Sequence, residues 1–256
     1  MTFASISPQA FLADTAPFNR LPVGVLTRLA EQSHLYRYRI GQPIITREKL
    51  PGLINVLVQG QVRMLGYDPN GEVPVTLKRL EPGEILGWLS LVRGKPCETA
   101  IASTETLCLV FPATEFLTLV EREAAVRDYV HSRTDVSELF DLLAGELQQR
   151  ADQALVLQAA GVADLKGLAL QILPEVEVAY LTSEQAGQSL SADRRWLVSD
   201  QNSLGLPIGQ SFKLDRSRKG AIPGGIRLIG IPEGALITNE PVAAPMTAIP
   251  VEAEII

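Results

Sequence analysis

The segment between Leu35 and Phe111 carries several short strand-like stretches, separated by Gly and Pro turns and by no helical pattern. Apolar and polar residues alternate in its first stretch, LYRYRI, as expected of a half-buried strand. Asn70-Gly71 is a strong hairpin signal, and Pro82-Gly83 marks another turn. Short strands punctuated in this way predict a β-roll or barrel, because a parallel sheet would need crossover helices between its strands.

Helical patterns flank this β-rich segment on both sides. Before it, apolar residues recur at helical spacing from Phe18 to Leu29, with Pro22 suited to a helix start. After it, Thr114 is a suitable N-cap for one predicted helix that runs through Val130, and Thr134 is a suitable N-cap for a second. The region 153–173 is also predicted to be helical.

Strand patterns return after Pro174, in VEVAYL, RWLV and IRLIGI. The end of the chain, residues 238–256, is rich in Pro and Ala and poor in charge, which is typical of a linker or tail. The fold class predicted is therefore mainly β with α, organised as a helix-flanked roll over 14–148, a smaller β-rich domain over 153–237, and the tail.

Composition narrows the possible functions. The chain has 23 basic and 29 acidic residues, a net charge of −6, and the acidic excess is shared by both halves. A surface that holds nucleic acid or an anionic membrane usually has a basic excess, so we expect neither partner. No apolar run is long enough to span a membrane, and we expect a cytoplasmic protein.

No catalytic, metal or cofactor site is predicted. Cys97 and Cys108 match no zinc-ligand spacing, and the two histidines, His34 and His131, are isolated in the sequence. The sequence contains no phosphate-binding loop, nucleophile elbow or paired carboxylates. We therefore expect no enzymatic activity from this chain.

Several features in the order in which they occur resemble the cyclic-nucleotide-binding domain family, over about residues 14–148. The matching features are the helix before the roll, Gly41, LVQGQVR, Gly71, LEPGEILG and TLCLVFPATEFL. The resemblance implies a β-roll with a phosphate-binding cassette, which in the family typically reads F-G-E-L-A-L, four residues, then P-R-x-A/T. There, N–H groups of a short helix and the Arg hold the cyclic phosphate, and the Glu accepts from the ribose hydroxyl.

The cassette of this chain reads LGWLSLVRGKPCETA from Leu86 and lacks both charged anchors. Trp88 stands at the family's Glu position and Cys97 at its Arg position. A thiol cannot replace a guanidinium against a buried phosphate, and each lost charged hydrogen bond costs about 1.5–3 kcal/mol. We expect affinity for cyclic nucleotides to fall by about 10³-fold or more. The residues that would contact any ligand here are Gly87, Trp88, Leu89, Ser90, Lys95, Pro96, Cys97, Glu98 and Thr99.

Motifs of the roll recur after residue 174. The paired motifs are LYRYRI with VEVAYL, INVLVQGQ with RWLVSDQ, LEPGEILGW with LGLPIGQSF, and TLCLVFPATEFL with IRLIGIPEGALI. The pairing predicts a shortened second roll that lacks the hairpin and the cassette. Chance is the alternative, because short β motifs repeat easily.

The cassette variant, together with the later RRWLVS, LPIG and IRLIGIP segments, resembles the N-terminal cytoplasmic region of cyanobacterial peptidase-containing ABC exporters of the type I secretion class. This resemblance implies a non-catalytic regulatory or docking module, at the cytoplasmic face of the inner membrane, whose partners are other transporter domains or the secreted substrate. A homodimer would form through the helices after the roll. The alternative is a free-standing sensor that binds a cyclic nucleotide or another small anion in the roll.

Overall fold

The computed structural model describes residues 6–67, 73–148, 150, 152–182, 190–213 and 224–236. The strands are β1 His34–Tyr38, β2 Pro43–Ile45, β3 Leu53–Gln59, β4 Val62–Gly66, β5 Val75–Leu80, β6 Ile85–Leu86, β7 Thr99–Ala102, β8 Thr106–Pro112, β9 Glu177–Leu181, β10 Arg194–Val198, β11 Ser211–Phe212 and β12 Ile226–Pro232. The α-helices are α1 Pro8–Ala13, α2 Val23–Glu31, α3 Trp88–Arg93, α4 Ala113–Arg122, α5 Ala124–His131, α6 Val136–Gln148, α7 Gln153–Ala159 and α8 Leu165–Ile172. The predicted hairpin turn at Asn70-Gly71 and the tail 238–256 lie outside the described residues.

The first eight strands form a roll of two antiparallel sheets, which confirms the fold class predicted from the sequence. The outer sheet has the order β1-β8-β3-β6, and the inner sheet has the order β2-β7-β4-β5. Apolar side chains from both sheets fill the space between them, among them Leu57, Leu80 and Cys108. The helices α1, α2, α4 and α5 cover the other face of the outer sheet.

Three helix boundaries differ from the sequence-based predictions. Thr114 does not cap α4, because the helix already begins at Ala113, directly after Pro112. The single helix predicted through Val130 is two helices, since Glu123 takes an extended backbone conformation between them. The cap of α6 is also shifted by one residue: the Asp135 carboxylate, and not the Thr134 hydroxyl, accepts from the Ser137 N–H.

The last four strands form a third antiparallel sheet, which we call the C-terminal sheet. Its order, β9-β12-β10-β11, repeats the order β1-β8-β3-β6 of the outer sheet. The register is repeated as well. Pro112 pairs with Leu53 in the outer sheet, and Pro232 pairs with Arg194 in the C-terminal sheet. In the same alignment, the residue pairs between β10 and β11 correspond to the residue pairs between β3 and β6.

A glycine turn is repeated together with the strands. The Gly83 N–H donates to the Leu57 carbonyl at 2.7 Å, and the Gly209 N–H donates to the Val198 carbonyl at 2.7 Å. Both glycines have a positive φ, 95° and 88°, which other residues rarely adopt. The register pairs Leu35 with Val178, two residues from the position suggested by the sequence motifs. A shift of two residues keeps each side chain on the same face of the sheet. The alternation of the two sequence motifs therefore agrees in spite of the shift.

Different elements cover the two sheets. One face of the C-terminal sheet packs on α6 and α8 around Leu197, Ile229 and Ile231. The opposite face packs on the loop after β10, through Leu204 and Leu206. Within the described ranges, nothing in this half corresponds to the inner sheet of the roll. The division into domains at residues 148 and 153 stays a prediction. No helix among the described residues is long and apolar enough to cross a membrane.

Candidate functional site

The segment that corresponds to the cassette is a short helix held between two glycines. The helix, α3, has six residues, with Gly87 before it at φ 94° and Gly94 after it at φ 65°. A Cβ on residue 87 would lie 3.1 Å from the Ile45 side chain, which is a tight contact. The positive φ of this residue would also strain any residue other than glycine, so both the available space and the backbone conformation favour glycine there. The local sequence therefore preserves the shape of the cassette although its charged anchors are missing.

The N-terminus of this helix is occupied by a carboxylate from the same chain. Glu98 accepts a hydrogen bond from the Gly87 N–H at 3.2 Å and from the Ser90 N–H at 2.8 Å. Its side chain is buried, with 2% of the residue exposed. Burial raises the pKa of Glu98, while the two N–H donors act in the opposite direction. The N–H groups that the family resemblance assigns to a phosphate are thus bonded to Glu98.

A neutral thiol occupies the position where the resemblance expects an arginine. The Cys97 N–H donates to the Ser90 Oγ at 3.2 Å, and the Cys97 Sγ lies 3.5 Å from the same oxygen. Burial raises the pKa of the Cys97 thiol to about 12, so the thiol carries no charge at neutral pH. Nothing at this position can pair with a phosphate.

Most of the other predicted contact residues are buried. Trp88 is 6% exposed and meets the Tyr129 ring edge-on at 6.4 Å, and Leu89 is fully buried. Thr99 lies on β7, where its buried hydroxyl has no hydrogen-bond partner among the described residues. Pro96 precedes Cys97 in the turn between α3 and β7. Trp88 therefore belongs to the core of the roll.

The cations of the cassette are bonded to residues outside it. Arg93 is fully buried, and its guanidinium donates to Asp141 on α6 at 2.8 Å and to the Ser199 carbonyl at 2.7 Å. Lys95 pairs with the same Asp141 at 3.0 Å. The backbone continues the contact, because the Gln201 N–H donates to the Arg93 carbonyl at 2.8 Å. These cations cannot contact an anion at Glu98 without leaving their partners.

A buried ion pair stands beside this contact. Arg227 on β12 pairs with Glu138 on α6 at 2.7 Å, and both side chains are fully buried. Ser199 Oγ donates to the same carboxylate. Burial alone would raise the pKa of Glu138, but the Arg227 guanidinium outweighs it and lowers the pKa to about 2. No sequence pattern indicates a role for Glu138, Asp141, Ser199 and Arg227, since they meet only in three dimensions.

A cavity of about 370 Å³ opens next to the cassette, between β4, β5 and the start of α6. Its charged lining residues are Lys78, Arg133, Glu84, Glu98 and Asp135. Lys78 is already paired with Asp135 at 2.6 Å and with Glu84 at 3.0 Å. The lining has more carboxylates than cations, so it does not favour a small anion. In the part of the chain that the structure describes, no group of three or more His, Cys, Asp and Glu could hold a metal ion.

Comparison with known families gives one match. Residues 35–123 match the profile of the cyclic nucleotide-binding domain, which covers about a third of the chain. The chain matches no curated protein sequence.

Several solved structures are similar to part of this chain. A cAMP-binding acyltransferase from Mycobacterium smegmatis is 23% identical over 54% of this chain and 41% of its own, with a TM-score of 0.40. A regulatory subunit of a cAMP-independent protein kinase A from Trypanosoma cruzi, bound to guanosine, is 17% identical over 47% of this chain and 46% of its own, with a TM-score of 0.38. A cyclic nucleotide-binding-like protein from Brucella abortus is 20% identical over 46% of this chain and 100% of its own, with a TM-score of 0.38. This chain spans less than half of the length of the first two proteins.

Proposed function

We propose that the chain is a non-catalytic regulatory or docking module whose cassette does not bind cyclic nucleotides. Residues 35–123 form a roll of the cyclic nucleotide-binding domain type. The observation that carries the proposal is the Glu98 carboxylate on the N–H groups of Gly87 and Ser90. A cyclic phosphate would have to displace a buried carboxylate, and would then meet Cys97 in place of a guanidinium.

Calorimetry tests the missing binding directly. Titration of the full chain with millimolar cyclic AMP or cyclic GMP is expected to give no saturable heat. A low-micromolar Kd for either nucleotide would overturn the proposal and favour a free-standing sensor.

Restoring the anchors separates the two causes of lost binding. The double variant Trp88→Glu, Cys97→Arg restores both charged groups but leaves Glu98 in place, so we expect it to bind weakly or not at all. Adding Glu98→Ala frees the two N–H donors and is expected to improve affinity at least tenfold over the double variant. Equal affinity of the double and triple variants would show that Glu98 does not block the cassette.

The larger context we propose is a type I secretion ABC exporter, with the module on its cytoplasmic face. The support for this context is the resemblance of the cassette variant and of the segments in 194–232 to exporter N-terminal regions. The partners would be the transporter's other domains or its secreted substrate, and regulation would require different contacts in two transport states.

Deletion of residues 1–240 from the full-length exporter tests this context. We expect changed secretion or changed substrate-stimulated ATP hydrolysis. Unchanged rates and substrate choice would remove the regulatory role, and ATP hydrolysis or leader cleavage by the isolated chain would show that it is an enzyme.

A further inference from the structure

The end of the cassette helix contacts the segment that directly follows β10 of the C-terminal sheet. Arg93, its last residue, reaches across to the Ser199 carbonyl, and its own carbonyl accepts from the Gln201 N–H. The fit is close, since a Cβ on Gly94 would lie 3.3 Å from the Gln201 Cβ. Two hydrogen bonds therefore join one residue of the cassette to the segment that follows β10.

That segment has a defined conformation of its own. The Asn202 side chain donates to the Asp200 and Leu206 carbonyls and accepts from the Leu204 and Leu206 N–H groups. Leu204 and Leu206 cover one face of the C-terminal sheet. Arg93 thus holds the beginning of the loop that closes this sheet.

The contact is buried and charged, so its loss is costly. Arg93 is fully buried, so removal of Asp141 would leave its guanidinium without a charged partner, and loss of the Ser199 carbonyl contact would leave a buried N–H donor unsatisfied. Ser199 also donates to Glu138, the partner of Arg227. The cassette, α6 and the C-terminal sheet are therefore linked through one continuous set of polar contacts.

We propose that the cassette serves as an internal docking site for the C-terminal sheet, with Glu98 fixing the start of α3 and Arg93 carrying the contact at its end. This inference rests on the proposed occupation of the cassette by Glu98. It adds a partner for the site: the partner is residues 199–201 of the same chain. Loss of Glu98 from the helix N-terminus then loosens the C-terminal sheet through Arg93.

Hydrogen exchange of the full chain measures this coupling at defined amides. In the Glu98→Ala variant we expect exchange to speed up at least tenfold at the Ser90 N–H, which loses its acceptor, and also at the Gln201 N–H. Faster exchange at Ser90 with unchanged exchange at Gln201 would overturn the coupling, whatever the calorimetry of nucleotide binding shows.

A matched pair of variants isolates the docking contact. Arg93 and Lys95 both pair with Asp141, but of the two only Arg93 bonds to Ser199. Arg93→Met is expected to speed exchange at Gln201 at least tenfold, while Lys95→Met changes it less than twofold. If Arg93→Met does not fold, Arg93→Lys keeps the charge but not the forked donor set, and the same acceleration is expected. Unchanged exchange at Gln201 in the Arg93 variant would overturn the proposal.

Discussion

The outer sheet of the roll and the C-terminal sheet share their strand order, their register and one glycine turn, yet different elements cover them. The outer sheet packs on an inner sheet, whereas the C-terminal sheet packs on the loop that begins at Ser199. The turn at Gly83 and the turn at Gly209 make the same hydrogen bond. Strand pairing and turn geometry therefore define the frame of such a sheet, while the segments between the strands decide what covers it.

The side chains at matched positions differ in a compensated way. In the outer sheet Asn55 pairs with Val110, and Asn55 accepts from the Tyr38 hydroxyl at 2.8 Å. In the C-terminal sheet the matched pair is Trp196 with Gly230, and a Cβ on Gly230 would lie 2.9 Å from the indole. The larger residue on one strand is matched by the smaller residue on the other, so the two pairs fill similar space.

The largest difference between the sheets is a buried charge. Arg227 occupies the position that Leu107 occupies in the outer sheet, and it pairs with Glu138. Arg227→Leu gives β12 the same residue that β8 has at this position, but it leaves the Glu138 carboxylate buried and without its charged partner. We expect a loss of about 3–5 kcal/mol in the free energy of unfolding, measured by urea denaturation.

The double variant Arg227→Leu, Glu138→Leu controls for packing. It removes both charges and is expected to recover most of the lost stability. No recovery would mean that Arg227 acts through its bonds to the Val130 and Arg133 carbonyls.

The second difference is a buried acid. Asp200, two residues after the end of β10, is 5% exposed, whereas Gln59 at the end of β3 is exposed, and burial raises the pKa of Asp200 from 3.8 to about 6. An acid whose pKa is higher in the folded chain binds more protons when folded, so stability falls as the pH rises from about 4 to about 6. The expected contribution is about 3 kcal/mol across this window.

Asp200→Asn tests this dependence. The variant is expected to lose that slope and to be more stable than the original chain at pH 7. Chemical denaturation of both proteins between pH 4 and 7 gives the difference, in which the other titrating groups cancel. Parallel stability curves would show that Asp200 does not titrate in this range.

The pair of Trp196 and Gly230 can be broken and repaired. Gly230→Val introduces the residue of the outer sheet and collides with the indole, so we expect about 1–3 kcal/mol of destabilisation. Trp196→Asn in the same chain completes the outer-sheet pair and is expected to recover part of the loss. A double variant that is worse than the sum of the single changes would argue against a shared geometry.

The smallest expected effect tests the repeated turn itself. Gly83→Ala and Gly209→Ala meet no atom within 4 Å, so each is expected to cost only backbone strain of about 1–2 kcal/mol. The two costs, measured by the same denaturation, should be equal within error. A clear difference between them would show that the turns are less alike than their hydrogen bonds indicate.

The sequence predicted the elements better than their contacts. Strand patterns and the turn at Pro82-Gly83 follow from local sequence and are confirmed. The break at Glu123 was missed because no Gly or Pro marks it. Glu98 was identified as a contact residue, but its bonds to Gly87 and Ser90 were not, because a loop's path back to a helix start is set by tertiary packing. The pairing of Arg93 with Ser199 depends on residues far apart in the sequence.

A chain with two sheets of one order and register must also avoid exchanging strands between them. If β12 paired with β3, Gly230 would face Asn55 and leave a void. If β10 paired with β8, Trp196 would face Val110. Even a Cβ on Gly230, the native partner of Trp196, would be too close to the indole, so a valine in that place would collide with it. We therefore expect the compensated pair of Trp196 and Gly230 to disfavour exchanged strand partners during folding, because each sheet would accommodate the strands of the other poorly.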